Sequence, residues 1–376
     1  MRGSHPLSSG QDLVSRWRPG SGSNITGVLQ HGAWGRVVPS SRMSLQVAGR
    51  GHTIRSPYAM KLVTYDRGGA RRLGAWVAGA VVDLPDAVGH PAFPTTLESL
   101  VTRNGGTTLD AAREALSDEE NVRACTVPRA RLLVPLLPSS LRGFQAFAGR
   151  SERAAARGGA HADAATDTPT YYKGNHRSVL GPDEDLVPPP FTKELDYELS
   201  VACVIGRPGR DLEPAGALDV IFGYTLMNDW TARDVERTDM ETGLGPAKSK
   251  DFATSLGPCV VTADEVDPSS LPMLARVDGA VWSSGNLRDA NWTFPEMIAH
   301  VSAGEDVLPG DVYGSGTFGG GCAADLGRRL EAGQVVELES EGIGVLRTRL
   351  TEARGATRAG TRRAGRGATF RLALLT

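Results

Sequence analysis

The chain has 376 residues, 40% hydrophobic and 22% charged, with a formal net charge of −2, so it can bury a sizeable core in one large domain or two. Near-neutral charge and the lack of any apolar run of about 18 residues argue against nucleic acid or membrane partners, and the start of the chain lacks a signal-peptide core. Its four scattered cysteines, Cys125, Cys203, Cys259 and Cys322, form no CxxC pair and read as reduced core thiols of a cytoplasmic protein, not a disulfide frame or zinc site.

Residues 1–59 are rich in Gly, Ser and Arg, with no sustained period, and read as a disordered extension. The opening MRGSH resembles an expression tag, and Met43 and Met60 are both plausible starts. From Met60, KLVTYDRGGARRLGAWVAGAVVDL reads as short strands joined by Gly-rich turns. Helical patterning follows over residues 93–131, with Thr95 or Thr96 as the N-cap of LESLV and LDAAREAL as a second helix. Residues 60–135 therefore form a small N-terminal domain. Residues 151–170, rich in Ala, Gly and Arg, read as a mobile loop or lid, or as a helix followed by one. Beyond Tyr171, short β-branched runs alternate with Gly and Pro. Strands are expected in DYELSVACVIG, GPCVVTADEV, LPMLARVDGAVW and QVVELESEGIGVLRTRL, and helices at 213–222, 229–238 and 294–302. The fold class is mixed α/β and β-rich. The tail 351–376 carries six arginines against one glutamate and reads as a solvated disordered tail or a weak anion-binding arm.

The densest chemistry lies in Gly223 to Pro258, which holds Asp229, Arg233, Asp234, Lys248, Lys250 and Asp251 in a span with little apolar periodicity. Just upstream, LDYELSVACVIG places Asp196 and Glu198 on a strand-like run. Carboxylates on a strand followed by Asp, Arg and Lys can build a cation site with a positive rim, suited to an anionic, oxygen-rich substrate.

YYKGN (Tyr171 to Asn175), LDYEL, MNDWTARD, GPAKSKDFATSLGP, GSGTFGGGC (Gly314 to Cys322) and EGIGVLRTRL (Glu341 to Leu350) occur in one order. Together they resemble the fumarylacetoacetate hydrolase family, in its bacterial diketo-acid hydrolase branch, over roughly residues 141–350. The resemblance implies a β-roll catalytic domain over 136–350, a homodimer, and a divalent cation, Mg²⁺ or else Mn²⁺ or Ca²⁺. It also implies hydrolytic C–C cleavage of a 2,4-diketo acid such as fumarylacetoacetate or an acylpyruvate, or a related enolate-forming decarboxylation or isomerisation. The leaving carbanion must depart as an enolate, which a metal ion stabilises while a base activates water.

By this resemblance Glu198 and Asp229 are metal ligands, and Ser200 stands where the family has the second Glu of an E-x-E pair. Positions i and i+2 share a strand face, which is why that spacing serves one ion. Gly143 replaces a ligand Asp, Gln145 a substrate-facing Tyr, and Arg150 the His that activates water. Arginine stays protonated and cannot be that base, so Glu236 and His176 are the replacement candidates, although a lone histidine is more often structural. Arg233 and Lys250 match contacts to the substrate carboxylate, and Thr317 matches a hydrogen bond to substrate. Each has a bland counterpart: a buried carboxylate pair for Glu198 and Asp229, and an i,i+4 helix-surface ion pair for Asp229 and Arg233. Glu194 and Asp196 are further carboxylates that can help bind the ion, and Lys248 reads as solvated or structural. The substitutions also leave room for a non-catalytic member that binds a keto acid or a partner protein, or for a structural subunit of a hetero-oligomer.

Overall fold

The computed structural model describes residues 58–103, 106–147 and 167–353, all within one unit, His52–Thr376. Nearly all of the extension expected over 1–59, most of the 151–170 loop, the arginine-rich part of the tail and Arg150 lie outside the described residues.

Strands β1 (Lys61–Arg67), β2 (Ala70–Val77) and β3 (Ala80–Asp83) form the expected meander. The helices Leu97–Thr102, Gly106–Ser117 and Glu119–Ala124 follow. Thr96 is the N-cap of the first, its hydroxyl accepting from Ser99 N at 3.2 Å, which satisfies one of the four N–H groups a helix start leaves open. After β4 (Thr126–Val127) and β5 (Leu132–Leu133) come β6 (Ser140–Phe144), β7 (Tyr171–Gly174), β8 (Val179–Leu180), β9 (Leu195–Asp196) and β10 (Leu199–Ile205). Then follow β11 (Ile221–Asn228), β12 (Thr231–Ala232) and β13 (Thr254–Thr262). The large sheet runs β4-β3-β2-β1-β13-β11-β10 and on through β16 (Asp311–Gly314) to β6 and β7. Strands of segment 60–135 thus join the large sheet that also holds β13, β11 and β10: Lys61 pairs with Val261 and Leu62 with Val260.

The run LSVACVI of β10 is buried at every position. A strand covered on both faces reads as continuous apolar sequence instead of alternating. Leu199, Val201, Cys203 and Ile205 enter one core with Leu338 and Leu346 of the second sheet. That sheet contains β14 (Pro272–Val277), β15 (Ala280–Asn286), β17 (Val335–Ser340) and β18 (Gly344–Arg349). Ala202 and Val204 enter the other core, with Leu62, Leu97 and Leu100 from the N-terminal segment. Cys203, Cys259 and Cys322 are buried, and Cys125 is half-buried.

The fold is mixed α/β and strand-rich, as the sequence implies, with three local differences. LDYELSVACVIG splits into β9 and β10, so Glu198 lies between strands. The helix expected at 213–222 shrinks to Pro214–Ala217 and a 3-10 turn, because β11 claims the chain from Ile221. The helix expected at 229–238 begins only at Arg233 and runs to Glu241. Phe294–Ser302 matches its expected span and starts with a capping box of Thr293 and Glu296.

Candidate active site

The register of β10 and β11 creates the site. Leu199 pairs with Asn228, so Glu198 and Asp229 meet where the two strands leave the sheet. The Glu198 N–H donates to Asn228 Oδ1 at 3.0 Å, and the Asp229 N–H to Glu198 O at 3.3 Å. Next along the sheet, β7 pairs Tyr172 with Gly143 of β6. A Cβ at Gly143 would lie 2.2 Å from the Tyr172 ring, so only glycine lets that ring lie across β6. Lys250 arrives from the turn before β13, and Arg233 opens the helix Arg233–Glu241.

These side chains form one buried ionic network. Lys250 Nζ lies 2.9 Å from Asp229 Oδ2 and 3.1 Å from Glu198 Oε2, and donates to Thr231 Oγ1 at 2.6 Å. The Tyr172 hydroxyl donates to Asp229 Oδ2 at 2.6 Å. Arg233 spends its fork on three carboxylates. Nε donates to Asp196 Oδ2 at 2.7 Å and Nη1 to Glu236 Oε2 at 2.8 Å, while Nη2 makes an ion pair with Glu198 Oε1 at 2.8 Å without hydrogen-bond alignment. Asp196 also accepts from the backbone N–H of Ala323 and Ala324, at 2.8 and 3.3 Å, tying Arg233 to the Gly-rich loop.

Protonation follows from burial and charge. Burial disfavours the Lys250 ammonium, but Asp229 and Glu198 outweigh it and raise its pKa, so it stays charged. The same balance holds for Arg233, raised well above its ordinary value despite burial by Glu236, Glu198 and Asp196. Burial, assisted by Glu198, pushes the Asp229 carboxyl up against the pull of Lys250 and Tyr172. Burial and then the Asp229 charge push the Tyr172 phenol well up, making it a donor and not a base.

Do these residues fit a divalent ion? Glu198 and Asp229 are both buried and share the one ammonium of Lys250, so two carboxylates lie side by side in the cluster. Asp229 Oδ1 and Ser200 Oγ are buried and accept no hydrogen bond, an arrangement that is costly unless a partner arrives. Among the described residues, no three His, Cys, Asp or Glu side chains are placed to hold one metal ion together. The donor set therefore fits a hard ion that keeps waters and takes substrate oxygens, not an all-protein cage. Glu198 and Asp229 would hold it, with Ser200 as a neutral third donor.

The other candidates divide. Glu236 belongs to the network through Arg233. His176 sits in the turn after β7 and, among the described residues, makes no hydrogen bond or ion pair with Glu198, Asp229, Arg233 or Lys250. Thr317 is buried, and its hydroxyl donates to Gly321 O at 3.0 Å within its own loop. Gln145 is exposed. Lys248 stacks over Phe191 at 5.1 Å, and Glu194 pairs outward with Arg237 at 2.9 Å. Asp229 and Arg233 do not share a helix turn as expected; the helical pair is Arg233 with Glu236, three residues on. Tyr172 and Thr231 escape sequence reasoning, because a strand pairing and a turn bring them to the cluster.

The family described as "Fumarylacetoacetate (FAA) hydrolase C-terminal" matches residues 143–351. The chain belongs to the fumarylacetoacetate hydrolase family. It is 30% identical over 284 residues to the oxaloacetate tautomerase Fahd2a, mitochondrial, of Rattus norvegicus, covering 73% of this chain and 85% of that one. It also resembles the fumarylacetoacetate hydrolase of Exiguobacterium antarcticum, at 27% identity and a TM-score of 0.63, covering 79% of this chain and all of that one. A maleylpyruvate hydrolase from Sphingobium sp. SYK-6, solved with manganese(II) and pyruvate, shares the fold at 22% identity and a TM-score of 0.59, covering 78% of this chain and all of that one. The names of its relatives and of solved structures that share its fold include a tautomerase, an isomerase and hydrolases.

Proposed function

We propose that this chain is an enzyme that interconverts the keto and enol forms of a small 2-keto dicarboxylic acid, with oxaloacetate as the first substrate to test. The observation that carries this reading is the Lys250 ammonium clamped between Glu198 and Asp229, with an unbonded carboxylate oxygen of Asp229 beside it. Tautomerisation moves one proton from carbon to oxygen and needs no activated water. The network supplies what that step demands. Lys250 stabilises negative charge developing on the keto oxygen, and Arg233 receives a carboxylate. A divalent ion held by Glu198 and Asp229 would polarise the same carbonyl when bound. Glu236, which the helix Arg233–Glu241 places in the network, is our candidate proton acceptor in place of His176. Support from relatives comes from the rat oxaloacetate tautomerase.

Decay of the oxaloacetate enol, followed by its ultraviolet absorbance with Mg²⁺ or Mn²⁺, tests this. The wild type should accelerate it beyond metal alone, and Lys250→Met should cut the rate by about 100-fold or more. No acceleration by the wild type would refute the reading. Hydrolytic cleavage of an acylpyruvate is the second reading, favoured by the likeness to the Exiguobacterium hydrolase; pyruvate release from acetylpyruvate would establish it.

A further inference from the structure

We infer that Glu236 is an internal competitor for the substrate's second carboxylate: it occupies Arg233 in the free protein, and a dicarboxylate must displace it to bind. This rests on the reading of Arg233 as a carboxylate receiver.

Three carboxylates hold the Arg233 guanidinium, and they are not equivalent. The Asp196 side chain is 2% exposed and is held by two backbone N–H groups as well as by Arg233 Nε. The Glu198 side chain is 5% exposed and is shared with Lys250. Glu236 is 23% exposed, stands on the first turn of its helix, and meets Arg233 at Nη1, 2.8 Å away. Arg233 is itself 9% exposed. Glu236 is thus the outermost arm of the fork, and its contact with Nη1 is the one that an anion arriving from solvent reaches.

Exchanging one carboxylate for another at Nη1 preserves the charge-assisted hydrogen bond. Affinity then depends on how firmly Glu236 holds its place, since a binding-competent state reached only after its release lowers the apparent affinity in proportion to its population. A monocarboxylate whose single charge is spent elsewhere in the site has nothing to offer Nη1 and meets no competition. Glu236 therefore weakens dicarboxylate binding while making it conditional on a second carboxylate.

The test is calorimetric titration of malonate and of pyruvate into the full chain with Mn²⁺ present, for the wild type, Glu236→Gln and Glu236→Asp. Glutamine removes the competing charge; aspartate keeps the charge but is too short to hold Nη1. Malonate should bind roughly tenfold more tightly to both variants, a step of about 1.4 kcal/mol, while pyruvate affinity stays the same. Tightening in the glutamine variant alone would mean a general charge effect and overturn the proposal. So would equal tightening for pyruvate, or weaker malonate binding to either variant. Thermal melting of both variants checks that they fold. These measurements need no turnover. An absent tautomerase activity alongside the expected binding pattern would remove the proposed reaction and leave this inference standing.

Discussion

At the scale of single residues, the contact of Gly143 with Tyr172 is the sharpest constraint on the site. Without a side chain at 143 the phenol ring lies across β6 and donates to Asp229. Gly143→Ala should force the ring off that position and cost about 1–3 kcal/mol, as overpacking does. In a Tyr172→Ala background the same change should cost far less, because contacting residues are not additive. Urea denaturation of the four proteins in the cycle measures this, and equal costs in both backgrounds would contradict the packing. Lys250 is the second such residue. Lys250→Met leaves Glu198 and Asp229 buried without their shared cation, and should destabilise the fold by about 3–5 kcal/mol when measured by denaturation without divalent ions.

At the scale of elements, Asp83 ends β3 and caps the helix Leu84–Val88 through Asp86 N at 2.8 Å. It also accepts from Tyr65, from Arg67 at 2.6 Å and from Arg72 at 2.9 and 3.0 Å. One carboxylate thus joins three strands and a helix. Burial alone would raise its pKa, but Arg72, Tyr65 and the Asp86 N–H outweigh burial and hold it below the ordinary value of 3.8. The unfolded chain therefore binds the proton more readily. The stabilisation from Asp83 is complete above its ordinary pKa and disappears as pH falls through the lowered folded value. Asp83→Asn should lower stability at neutral pH and flatten its loss below about pH 4, which thermal melts across an acid series would show. The capping box of Phe294–Ser302 makes a smaller claim: Thr293→Ala should cost about 1 kcal/mol.

At the scale of the whole molecule, two buried carboxylates that share one ammonium, Glu198 and Asp229, make stability depend on cations. Mn²⁺ at about 100 times its Kd should add about 2.7 kcal/mol to unfolding stability. Asp229→Asn should abolish that gain, because it removes the ionised carboxylate beside Glu198. Melting curves with and without Mn²⁺ decide this, and an equal gain in the variant would place the ion elsewhere.

Sequence by itself determined the family, the strand-rich class and most members of the site. Motifs such as MNDWTARD and GPAKSKDF carry their residue types in a fixed local order, and local order is what a sequence records. The helix Phe294–Ser302 was legible for the same reason, since its cap and apolar spacing lie within one short segment. Partnership was decided by the tertiary structure. Tyr172 meets Asp229, 57 residues away, only because β7 pairs with β6 in one register and β10 with β11 in another. Glu198 and Asp196 do not share a simple strand face, because the chain leaves the β9 pairing before it enters β10. Which carboxylate a guanidinium or an ammonium neutralises depends on contacts between distant segments, and those exist only once the two cores have packed against opposite faces of β10.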